Sequence, residues 1–143
     1  MRRFLFLMVF FLSSLSLAAG FDVTEAEFGV FDAKNPKRLG FEAAQVIPRK
    51  AGLRYGWMIV LKNAPPNVSV REEYLIAPKN RTDNTEGLVV FDRRQQVSQR
   101  YLAPKDGVIV GEWEMGPSDP KGPRHLQVII DDRAIVDFEF EVQ

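Results

Sequence analysis

From Leu53 onward the apolar residues fall on every second position. Leu53, Tyr55, Trp57, Ile59 and Leu61 share one parity, with Arg54, Gly56, Met58, Val60 and Lys62 between them. A period of two marks a strand with one buried face. The intervening residues grow more apolar towards the middle, so the second face is expected to be partly covered. Asn63-Ala64-Pro65-Pro66-Asn67 ends the strand, because proline offers no ladder donor and fixes φ. Val68, Val70 and Tyr74 resume the alternation, which predicts a second strand paired with the first across that turn.

The C-terminal quarter carries the clearest pattern. Leu126, Val128 and Ile130 alternate with His125, Gln127 and Ile129, and Asp131-Asp132-Arg133 makes a turn. Ala134, Val136, Phe138, Phe140 and Val142 then alternate with Ile135, Asp137, Glu139 and Glu141. The final strand is apolar on one face and acidic on the other. A slip of one residue would bury its acids, so the register is strongly specified.

Shorter alternating runs predict further strands at residues 23–31, with Phe28, Val30 and Ala26 inward, and at 88–91, 97–102 and 108–115. Residues 41–47 read as an edge segment stopped by Pro48. Turn residues separate these runs, most densely in Gly116-Pro117-Ser118-Asp119-Pro120-Lys121-Gly122-Pro123. No long segment combines a 3.6-residue period with helix caps. Roughly seven to nine short strands broken by turns predict an all-β fold, an antiparallel β-sandwich.

The first residues follow another pattern. Arg2 and Arg3 precede an unbroken apolar run from Phe4 to Leu12, and Ser16-Leu17-Ala18 supplies small residues suited to a signal peptidase. The run falls short of the roughly 20 residues that span a bilayer. The expectation is a signal peptide over residues 1–19 and a single exported domain over 20–143, with no membrane span after cleavage. Cysteine is absent, so neither disulfides nor a lipid-modified cysteine contribute, and packing alone must hold the fold. Without Arg2 and Arg3, 17 basic residues (19 − 2) face 19 acidic ones, a net charge of −2. That balance lacks the concentrated positive charge of a nucleic-acid binder.

Candidate chemistry is sparse. His125 is the only histidine, which excludes a zinc site built from histidine and cysteine. Ser118, Asp119 and His125 can be written as a triad, but they lie in or beside one Pro/Gly-rich loop and read more simply as a turn. Glu112 and Glu114 share a strand face, as an acid/base pair or as two solvated acids; a glycosidase pair needs a deep cleft that a small sandwich rarely offers. Asp131-Asp132 lacks the spaced oxygen ligands of a calcium loop. No enzyme activity, metal or cofactor is expected. The aromatic residues Tyr55, Trp57, Tyr74, Tyr101 and Trp113 suit either a core or a partly wet binding face.

The order of landmarks resembles the bacterial exported domain-of-unknown-function family 3859. The matching pieces are Ala26-Glu27-Phe28-Gly29-Val30-Phe31, Ile47-Pro48, Gly52-Leu53-Arg54-Tyr55-Gly56-Trp57, Gly111-Glu112-Trp113, Asp119-Pro120-Lys121-Gly122 and Phe138-Glu139-Phe140-Glu141-Val142. The resemblance implies an immunoglobulin-like sandwich, periplasmic or secreted, and brings no catalytic residues. The expected function is a noncatalytic binding or accessory module engaging an envelope protein or glycan. A carbohydrate-binding module using exposed aromatics, or a small glycan hydrolase, stands as the alternative. Candidate partner-binding residues are Trp113, Glu112, Glu114, Ser118, Asp119 and Lys121.

Overall fold

The computed structural model describes residues 20–32, 34, 40–76 and 93–143. The predicted signal peptide and the predicted strand at 88–91 lie outside these residues. Among the described residues nine strands form: β1 (Asp22–Phe31), β2 (Phe41–Ala43), β3 (Val46–Ile47), β4 (Arg54–Lys62), β5 (Val68–Ile76), β6 (Arg93–Leu102), β7 (Val108–Glu114), β8 (Gly122–Ile130) and β9 (Ala134–Val142). They make two sheets, ordered β2-β1-β4-β7 and β3-β9-β8-β5-β6. Every pairing is antiparallel except β3 on β9, which is parallel.

The alternation seen in sequence becomes the core. Trp57 and Ile59 on β4, Val68 and Val70 on β5, and Leu126 and Val128 on β8 are fully buried between the sheets. Each such side chain contributes about 1.5–3 kcal/mol by leaving water. Phe28 of β1 joins the layers, stacking on Phe140 of β9 with ring centroids 4.0 Å apart and meeting Phe138 at 5.8 Å. The predicted hairpin of β8 and β9 forms in register, with Leu126 opposite Phe138 and Ile130 opposite Ala134. Its turn places Asp131 and Asp132 at φ 50° and 52°. That left-handed conformation suits aspartate better than most side chains. Asp131 Oδ1 also accepts a bond from Ser69 N at 2.7 Å, and Asp132 pairs with Arg71 at 2.6 Å, so the turn serves the fold.

Three sequence expectations change. β4 and β5 do not pair; they lie in opposite sheets. The connection at residues 63–67, with Asn63 at φ 58° and two prolines, carries the chain across the sandwich instead of folding it into a hairpin. Their apolar faces therefore meet face to face. The edge segment at 41–47 splits in two. Ala44 N donates to Phe28 O at 2.9 Å, and beyond it the chain leaves β1 to lie beside β9. Ala26, expected inward, is exposed beside the gap between β1 and β9.

The β5 parity also drives a carboxylate inward. Glu72 follows Val68 and Val70 on the buried face and has no exposed surface. Its Oε1 accepts from Ser98 Oγ at 2.9 Å and from Arg100 at 3.1 Å, both on β6.

Candidate functional site

β4 runs upward from Arg54 to Lys62, and the register defines what lies at its lower end. Phe31 of β1 and Glu114 of β7 both stand opposite Arg54. β5, entering at the top, ends at Ile76 beside Arg93 of β6. The β3–β4 connection at residues 48–53 and the β7–β8 connection at 115–121 join here. Among the described residues, the upper end carries short links at 63–67, 103–107 and 131–133. Longer connections on a stiff scaffold are where binding residues concentrate.

All six candidate residues lie at this lower end, on β7 or the loop after it, yet they point in different directions. Alternation sends Trp113 inward while Glu112 and Glu114 face outward. The Trp113 ring sits 5.6 Å from that of Tyr55 and 6.0 Å from that of Tyr74, at the mouth between the sheets, and is half-buried. Glu112 pairs with Arg54 across the outer face. Ser118 and Lys121 are exposed. Asp119 is occupied by the loop itself: its Oδ2 accepts from Gly116 N at 2.8 Å.

The loop is held on several sides. Gly52 N donates to Met115 O at 2.9 Å, Met115 N donates to Leu53 O at 2.7 Å, and Arg124 donates to Pro120 O. These bonds fix the loop in one conformation. Ser118, Asp119 and His125 do not assemble as a triad, because His125 Nε2 meets Asp137 at 2.8 Å and Asp119 turns to Gly116. The outward pair Glu112 and Glu114 stands on an open sheet face, with Glu112 engaged by Arg54.

Behind the loop the fold gathers Tyr55 and Tyr74, two of the aromatic candidates, with Arg124, which no sequence pattern singled out. Burial pushes the Tyr74 phenol well above its ordinary value; neighbouring Tyr55 adds to this and Arg124 opposes it. Burial raises the Tyr55 phenol as well. Both phenols hold their protons more tightly folded than unfolded. The stability this confers is complete below the ordinary phenol range, near about pH 10, and is lost as pH rises through the folded values. The urea midpoint is therefore expected to fall above about pH 10, and to fall less steeply when Tyr55 and Tyr74 are both replaced by Phe. Parallel slopes for the two proteins would refute the assignment.

Fold and site together define an immunoglobulin-like β-sandwich, nine strands among the described residues, with a braced loop end. A family model described as the PM0630 beta sandwich domain matches residues 26–143. The chain belongs to that family. A search of curated proteins finds no match. Among solved structures, an immunoglobulin-like protein (PA1606) from Pseudomonas aeruginosa is similar over 87% of this chain and 98% of its own, with 19% identity and a TM-score of 0.59. That likeness establishes the fold. A β-glucosidase from Listeria innocua in complex with isofagomine is matched over 87% of this chain but only 16% of the enzyme, at 10% identity and a TM-score of 0.44. The β-glucosidase EmGH1 from Erythrobacter marinus gives 87%, 15%, 12% and 0.44. These two carry no argument about activity. No helix among the described residues is long and apolar enough to cross a membrane.

Proposed function

We propose that the protein is an exported, noncatalytic binding module of the cell envelope that engages a protein partner through the lower loop end of its sandwich. The observation that carries this reading is the braced 115–121 loop, which presents exposed Ser118 and Lys121 beside exposed Glu114 on a preorganised frame. Export rests on the N-terminal pattern of Arg2-Arg3, the apolar run and the small residues before Gly20. The resemblance to the exported family 3859 agrees with it. Trp113 and Asp119 support the surface from behind, and Glu112 anchors the neighbouring strand through Arg54. A protein partner is favoured over a glycan because the Trp113 ring is packed against Tyr55 and Tyr74 instead of lying flat on the surface.

The test is affinity capture of the mature domain from its own envelope fraction, with N-terminal sequencing of the untagged protein recovered there. The mature chain is expected to begin at Gly20, and one stoichiometric protein is expected to be retained. Combined Glu114→Lys and Lys121→Glu substitution is expected to cut retention about tenfold, or about 1.4 kcal/mol, without altering the fold. Undiminished retention would move the interface elsewhere. Retention of glycan alone, abolished by Trp113→Ala, would transfer the assignment to carbohydrate binding.

A further inference from the structure

β9 is the outer long strand of its sheet, and β3 covers only its last residues, Val46 lying opposite Glu141 and Ile47 opposite Val142. Glu141 N donates to Gln45 O at 2.8 Å and Gln143 N donates to Ile47 O at 3.0 Å. Backbone groups of alternate residues point to the same edge of a strand. The N–H and C=O groups of Ile135, Asp137 and Glu139 therefore line the upward continuation of the edge on which β3 has already added. Among the described residues no strand lies beside this stretch.

The same stretch borders a groove of about 540 Å³ between β9 and β1. Phe28 and Phe138 line it together with Ala26, whose small side chain leaves room above them. Glu27, Asp137 and Glu139 are the charged residues along its rim; Asp137 also accepts from Gln127 at 2.9 Å and meets His125 at 2.8 Å, and among the described lining residues there is neither lysine nor arginine. The side chains of Asp137 and Glu139 stand on the outer face of the sheet, 52% and 79% exposed. Two of the other edges are less receptive, while β7, at the end of the opposite sheet, is a third edge of seven residues. β6 carries an extra residue at Val97, where the register with β5 shifts between Glu72 and Glu73, and β2 spans three residues. Bulges and short strands are recognised means of blocking added strands.

We propose that residues 135–139 of β9 accept an extended basic segment of a partner protein as an added strand. The ladder to β9 supplies the affinity. Lysine or arginine of the segment lies beside Asp137 and Glu139, and its alternate small apolar residues lie over Phe28 and Phe138. This surface is separate from the lower loop end.

A short, blocked peptide alternating lysine with valine is the probe, followed by amide NMR on the full mature domain. Binding is expected to shift the amides of Ile135, Asp137 and Glu139 and slow their hydrogen exchange. Glu139→Pro removes a donor that points away from β8, and is expected to weaken binding at least about tenfold. N-methylation of the peptide on its ladder side is expected to do the same on the unaltered protein, which keeps the test valid if the proline variant does not fold. Glu139→Lys is expected to abolish binding. Absence of peptide binding at about 1 mM, or affinity unmoved by N-methylation, would overturn the added strand; the second result would leave only a diffuse charge contact. Glu114→Lys with Lys121→Glu is expected to leave this peptide's affinity unchanged, so failure here and failure of the loop-end reading are distinguishable.

Discussion

Gly111→Ala is expected to destabilise the protein by about 3 kcal/mol, at the upper end of the ordinary range for overpacking. Gly111 of β7 lies opposite Trp57 of β4, and the indole lies against its backbone. A methyl group there would meet Trp57 ring atoms at 2.2 Å, far inside van der Waals contact. The ring has nowhere to retreat, because Trp57 is fully buried and packed in the central core cluster. Either the indole leaves its rotamer or β7 moves off β4, and both open the core. For a domain of this size the loss corresponds to a melting temperature lower by about 10 °C. Gly122→Ala is the control: its φ of 117° is strained for alanine, but nothing lies within 4 Å of the added methyl. Thermal unfolding of the two variants separates clash from backbone strain. Equal losses would show that the Trp57 contact is not the cause.

The second large effect concerns Glu72. Removing Arg100 as Arg100→Leu is expected to cost about 2 kcal/mol, whereas Glu72→Leu is expected to cost clearly less. The asymmetry follows from exposure. The Glu72 side chain is 0% exposed and that of Arg100 is 40% exposed. Without its partner the arginine can turn towards water, while the carboxylate stays in the core with Ser98 Oγ as its remaining partner. Glu72 Oε2 and Arg100 Nε have no hydrogen-bond partner among the described residues, so the pair is incompletely satisfied even when intact. Replacing both residues by leucine is therefore expected to be close to neutral. Chemical denaturation of the two single variants and the double variant forms a complete cycle. Equal single losses, or a double loss equal to their sum, would refute the account.

Glu72 also marks how far sequence reading reaches. The parity of Val68, Val70 and Tyr74 extends to position 72, but nothing in the local sequence marks its carboxylate as buried. Its partners Ser98 and Arg100 lie 26 and 28 residues away on β6, and no local spacing pointed to them. The candidate site behaved similarly. Glu112 and Glu114 were readable as sharing a face, while Trp113 suited either the core or a binding face until the sheets were packed. That Tyr55, Tyr74 and Arg124 gather behind the following loop required the two sheets to be brought together.

The strands β1, β4, β5, β7, β8 and β9, the acidic outer face of β9, its register on β8 and the turn between them were determined by sequence alone, whereas β6 begins at Arg93, ahead of the expected 97. Side chains alternate with a period of two, and a misplaced register would bury Asp137, Glu139 and Glu141. The tertiary structure decided which sheet each strand joined. Both β4 and β5 offer an apolar face, and alternation cannot distinguish pairing edge to edge from packing face to face. The proline-containing link at 63–67 and the mutual burial of both faces selected the second. The same limit explains β2 and β3, whose partners β1 and β9 are chosen by the backbone bonds of Ala44 and Glu141, groups that every sequence shares.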